Sequence, residues 1–175
     1  MDSHLQRLQQ EVASAVTGLS AEQLNWHPPG KWCAAEVLEH LYLTYTGTTK
    51  GFERAAQAGE SLATAQSWRQ RGRTLVVVGL GYFPSGRDAP AMARPRGMPI
   101  EKVLAGIGAK IVEMDEIMTL CEEKLGARRK LLDHPILGPL TAAQWRKFHL
   151  VHGRHHIKQI GQLRLGALAR QSETK

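Results

Sequence analysis

IEKVLAGIGAKIVEMDEIMTLCEEKL, residues 100–125, carries the clearest helical spacing in the chain. Apolar side chains recur at Ile100, Val103, Leu104, Ile107, Ile111, Met114, Met118, Cys121 and Leu125, close to a heptad repeat. That repeat lays one continuous seam along a helix, and a seam of this length must be buried against other helices. Upstream, Leu5, Leu8, Val12, Val16 and Leu19 keep helical spacing, with Asp2 and Ser3 as caps and an end near Gly18. From Ala34 to about Ala58 a second long helix is expected, its stripe made by Val37, Leu38, Leu41, Tyr45 and Phe52. Thr141 and Gln144 have capping-box spacing and open a last helix running to about Leu168. Four long amphipathic helices make an all-α four-helix bundle the economical fold, as a single domain over residues 1–170 with a short tail at 171–175.

The connections carry the remaining signals. Ser20 and Gln23 have capping-box spacing for one short turn of helix, and NWHPPGKW (25–32) is a loop enforced by its prolines and glycine. Residues 66–80 contain the β-branched run TLVVVGLG, which suits a buried strand or a helix end, and a helix is expected there. FPSGRDAPAMARPRGMP (83–99) is a long crossover loop, placed to act as a lid or rim. GLGYF at 79–83 lacks the third glycine and the surrounding βαβ pattern of a dinucleotide fingerprint.

Composition excludes several classes. Apolar residues at 42% and charged residues at 22% are those of a folded globular domain, not of a disordered or fibrous chain. The first residues lack the apolar core of a signal peptide and no stretch is long enough to span a membrane, so a cytoplasmic protein with no membrane association is expected. Cys33 and Cys121 stand far apart, without the pairing of a disulfide framework or a zinc ribbon. The net charge of +7 is spread in ones and twos with small groups at 69–73, 94–96 and 128–130, and no reader motif accompanies it. Nucleic acid is therefore not an expected partner.

On the last helix Trp145, Phe148, His152, His156, Gln159 and Leu163 share one face, within about 40° of His152 at 100° per residue. Polar groups thus occupy core positions, where an unpartnered imidazole or amide costs roughly 1–3 kcal/mol. A shared ligand removes that cost. His152 and His156, at i and i+4, can reach one ion, and such an ion needs a third protein ligand. His40, on the flank of the second helix's stripe, is the leading candidate, with His134, His149 and His155 as alternatives. HExxH is absent, and with it the general base of many zinc proteases. Leu150 and Ile157 lie opposite the histidines and imply a second packing surface on this helix.

HGRHHIKQI (152–160) resembles the HxxxHxxQ signature that closes the last helix of DinB-like (YfiT-like) metal-binding bundle proteins, matching it at His152, His156 and Gln159. WHPPGKW (26–32) followed by EVLEHL (36–41) is similar to the same family, and the resemblance implies His40 as the third metal ligand. HPILGPLTAAQWRKFHLVH (134–152) is similar to an uncharacterised branch. Where the family has Ser or Thr before the second helix this chain has Cys33, a poorer cap by type.

The resemblance implies a divalent metal, zinc or nickel, held by His40, His152 and His156, with Gln159 behind them. It further implies thiol-dependent S-transfer, isomerisation or a related hydrolysis, with a small-molecule thiol and an electrophile as partners, and a homodimer. Arg94 and Arg96 could then meet an anionic cosubstrate, but ordinary surface charge is the favoured reading of both. The competing expectation is a non-enzymatic metal- or ligand-binding module.

Overall fold

Most of the α-helices start where the sequence supplies a side-chain cap; the one beginning at Ile100 follows Pro99 without one. The computed structural model describes residues 1–84, 86 and 88–170 in full, and the backbone of 171–173. Helix α1 (Ser3–Val16) is capped by Asp2, whose carboxylate accepts from the His4 backbone N–H. Ser20 and Gln23 close a reciprocal capping box on the short α2 (Ala21–Asn25). The long α3 (Ala34–Ala58) begins at Cys33 and stops at Gly59, whose φ of 68° ends the helix in the left-handed conformation that glycine adopts without strain. Cys33 does cap: its Sγ accepts from the Glu36 N–H at 3.4 Å while the Glu36 carboxylate accepts from the Cys33 N–H at 2.8 Å. The glutamate arm supplies the shorter bond, so the box survives the replacement of a hydroxyl by sulfur.

Within residues 66–80, where a helix is expected, positions 68–79 are helical, but not as one regular helix. α4 (Trp68–Thr74), capped by Ser67 and Gln70, passes directly into a π-helical turn at Leu75–Gly79. Val77 and Val78 are buried there while Leu75 and Leu80 face outward. The crossover loop holds a 3₁₀ turn at Ala91–Ala93 and leads into α5 (Ile100–Leu125). Between α5 and the last helix lies a small antiparallel hairpin, β1 (Leu132–His134) paired with β2 (Gly138–Leu140). Its turn is closed by a side chain: His134 Nδ1 accepts from the backbone N–H groups of Ile136 and Leu137 at 3.1 and 3.2 Å. α6 (Ala142–Glu173) opens on the Thr141–Gln144 capping box and continues past Leu168, because the sequence there offers neither glycine nor proline to stop it. The tail expected at 171–175 is thus helical through Glu173, and residues 174–175 lie outside the described ones.

The four long helices form the bundle, with α3 packed chiefly on α5 and α1 on α6. Leu5, Leu8, Leu38, Leu41, Tyr45, Phe52, Ile111, Met114 and Met118 are sealed from solvent at its centre. Gly153 is where α6 meets α1: a β-carbon added there would stand 2.2 Å from Leu8 Cδ1. Leu150 is buried and Ile157 packs on the same core, so the second apolar face of α6 is covered by this chain itself. The lower end of the bundle is fixed by a buried ionic cluster. Arg146 on α6 donates to Asp115 (2.6 Å), Glu122 (2.5 Å) and Thr119 on α5, and Asp115 also accepts from the Asp2 N–H. Three helices are thereby set in register around one guanidinium, whose planar fork suits several acceptors at once. Among the described residues, no helix is long and apolar enough to cross a membrane.

Candidate metal centre

Two helices and one loop build the site. α6 presents His152 and His156 one turn apart, and α3 presents His40 from its first half. All three are buried, at 4, 6 and 7% exposure for His40, His152 and His156, which leaves the cluster enclosed but not sealed. Their Nε2 atoms converge. His152 Nε2 lies 3.3 Å from that of His40 and 3.0 Å from that of His156, and one nitrogen from each ring falls within 4.8 Å of the others.

The opposite edges of two rings show which way their protons point. His40 Nδ1 is 2.7 Å from the Ala93 carbonyl oxygen, and His156 Nδ1 is 2.7 Å from Gln159 Oε1. Both oxygens only accept, so both Nδ1 atoms carry the hydrogen and both Nε2 atoms direct lone pairs inward. A proton on His152 Nε2 can be donated to one of those lone pairs, leaving the other unmet; a cation satisfies all three. Burial depresses all three imidazoles. His156 is held at about 3, first by desolvation and then by His40, against the opposing hydrogen bond from Gln159. His152 falls well below its ordinary value through desolvation and the surrounding histidines, and His40 is lowered by desolvation despite its bond to Ala93. Neutral imidazoles are the form that binds metal, so the donor set, its protonation and its convergence fit a divalent ion.

Glu39, next to His40, explains how the loop reaches the site. Its carboxylate is buried and accepts from three successive backbone N–H groups, those of Arg96 (2.7 Å), Gly97 and Met98 (both 3.1 Å). This clamp fixes the crossover loop on α3, where the same loop offers its Ala93 carbonyl to His40. Nothing in the sequence marked Glu39, because its partners are main-chain groups of a segment almost sixty residues away. Arg94 and Arg96, for which surface charge is the favoured reading over contact with an anionic cosubstrate, are exposed and hydrogen-bond carbonyls of their own loop, Ala89 and Met92.

The alternative histidines have other tasks. His149 is fully buried and pairs with Thr48 at 3.1 Å, His134 closes the hairpin, and His155 contacts Gln159 Nε2 at 3.2 Å on the outer side of the helix. Aromatic rings wall the cluster: Trp32 lies 5.4 Å from His40, Phe83 5.1 Å from His152, and Phe148 stacks on His152 at 5.4 Å. Both cysteines stand apart as buried thiols pushed up by desolvation, Cys33 in its cap and Cys121 bonded to the Phe52 carbonyl.

Gln159 fixes the tautomer of His156, and its removal is expected to lower metal affinity ~10–100-fold, as for other groups that orient a ligating histidine. Competitive titration of Gln159→Ala against a chromophoric chelator measures this. Gln159→Glu, which keeps an acceptor at the same place, should retain affinity; equal affinity for all three proteins would exclude an orienting role.

No curated protein and no solved structure matches the chain. The family model described as DinB superfamily matches residues 4–160, and a match over so much of the sequence means that the chain belongs to the DinB superfamily.

Proposed function

We propose that this chain is a divalent-metal protein in which His40, His152 and His156 hold zinc or nickel and a small-molecule thiol is transferred to an electrophile. The observation that carries this reading is the inward convergence of three Nε2 atoms, two of them with their tautomers fixed from behind. Imidazole donors suit both metals. When bound, such an ion supplies Lewis acidity that lowers the pKa of a thiol or water. The chain's own part is to hold the three donors neutral, to keep His40 oriented through Ala93 and the Glu39 clamp, and to exclude bulk water with Trp32, Phe83 and Phe148. In the transfer the thiol loses its proton to solvent, its sulfur forms a bond to the electrophilic carbon, and the leaving group departs with the bonding pair. The nucleophile comes from outside, since both cysteines are buried with raised pKa values. Two free cysteines accord with work in the reducing cytoplasm, where low-molecular-weight thiols are abundant.

A second reading, a metal-binding module without turnover, is favoured by one feature: the buried carboxylate beside the site, Glu39, is consumed by main-chain donors and so offers no general base. Thiol consumption by the metal-loaded protein with an activated aryl halide, using cysteine and glutathione as thiols, separates the two. The transfer reading expects turnover that chelation abolishes. Stoichiometric metal with no thiol consumption for any pair would leave the module.

A further inference from the structure

A cavity of about 390 Å³ opens beside the histidine cluster and is not part of it. Phe83 and Phe148 form one of its walls and are the same two rings that contact His152, while none of the three clustered histidines lines it. Val77, Ile136 and Leu137 continue the apolar lining, and the exposed Trp68 stands at its edge. The volume lies at the lower end of the ~300–1,000 Å³ of small-molecule sites, and such sites combine an apolar wall with a few placed polar groups.

Those polar groups are all donors. Arg69 and Arg73, at i and i+4 on α4, both line the cavity from its exposed side. Arg69 rests over the Trp68 ring at 5.2 Å, and neither guanidinium has a carboxylate partner among the described residues. His134 is the third. Its Nδ1 accepts from the Ile136 and Leu137 N–H groups, which places the ring proton on Nε2, and no acceptor for that proton is found among the described residues. A partly open apolar cavity whose charged and polar side chains are all donors selects a ligand that brings acceptors.

We propose that this cavity binds a small organic acid, with its apolar body against Phe83, Phe148 and Leu137 and its carboxylate met by Arg69 and Arg73. His134 donates to an oxygen of the same ligand. The occupant lies one aromatic ring away from His152, yet its binding rests on α4, the hairpin and α6 and is independent of any metal.

Calorimetric titration of the full chain with 4-phenylbutyrate, 4-phenylbutanol and 4-phenylbutylamine tests this. The acid should bind ~10-fold or more tightly than the alcohol, and the amine weakest of all, because two guanidiniums face the head group. Arg69→Ala combined with Arg73→Ala, both on exposed positions, should bring the acid to the affinity of the alcohol. Val76→Trp, which fills the cavity from its partly exposed rim, should remove binding of all three. The acid's affinity should be unchanged after chelation, so failure of the metal reading leaves this result intact. Equal affinities for acid and amine, or an acid that binds the double variant as tightly as the parent, would overturn the proposal.

Discussion

Replacing His156 by alanine is expected to abolish the metal-dependent part of the protein's thermal stability, measured against the melting temperature of the same variant without metal. A ligand that binds only the native state at 100 times its dissociation constant adds about 2.7 kcal/mol. For a chain of this size that is a rise in Tm of roughly 5–10 °C. The loss of one of three donors should exceed the ~10–100-fold cost of losing a group that merely orients one, so at the same metal concentration the rise should vanish. The metal-free variant sets its own baseline, because the substitution also removes a buried ring and its hydrogen bond to Gln159, and the metal-induced rise is read against that baseline. His27→Ala is the control, since His27 is exposed and its Nδ1 meets the neighbouring Pro28 carbonyl. Melting curves with and without zinc or nickel decide the matter. A His156→Ala protein that keeps the full metal-induced rise would show that the ion sits elsewhere.

How far the sequence could have led to this site depends on which partners a side chain has. α5 was legible because every turn repeats the same apolar demand, and the buried Val103, Ile107, Ile111, Met114, Met118 and Cys121 lie where its spacing placed them; Leu104, in the same series, is over a third exposed. His152, His156 and Gln159 were legible as a polar seam because their neighbours on the helix are only three and four residues away. His40 was narrowed by its helix face and singled out by family resemblance, since nothing local ties it to α6. Glu39 and Arg146 were not legible at all. On a helical wheel each is an ordinary charge, and only the arrival of a distant loop at one and of α5 at the other turns it into a buried anchor. The hairpin at 132–140 escaped notice because three-residue strands show no alternation, although its turn carries Pro135 and Gly138, the latter at a φ of 73°, beside the His134 imidazole. The π turn at 75–79 gives no sequence signal beyond a β-branched run that suits several conformations.

The second large effect is acid lability, to which the metal-free cluster contributes and to which two buried histidines outside it, His134 and His149, add a share of their own. Desolvation holds His149 at about 3, with a smaller contribution from His134, and holds His134 itself at about 4. In the unfolded chain both return to the ordinary 6.5. Below that value the unfolded state binds more protons than the native one, so stability rises with pH. It is complete above about pH 6.5 and falls as pH is lowered, His134 ceasing to contribute to the loss near 4 and His149 near 3. Each group costs up to about 1.4 kcal/mol per pH unit. Between about pH 6.5 and 5 the two together therefore remove up to about 4 kcal/mol, a large share of the ~5–15 kcal/mol that holds an ordinary domain. Urea unfolding of chelated protein at about pH 7.5, 6.5, 5.5 and 5 should show a flat upper limb and a steep fall below 6.5. His134→Asn tests the assignment, because an amide oxygen can accept the Ile136 and Leu137 N–H bonds that close the hairpin without acquiring a charge. Its slope below pH 6.5 should be shallower than that of the parent by about the share of one group. A parent protein whose unfolding midpoint is the same at pH 7.5 and 5 would mean that these imidazoles take up protons in the folded state, and that the interior around them is wetter than its packing indicates.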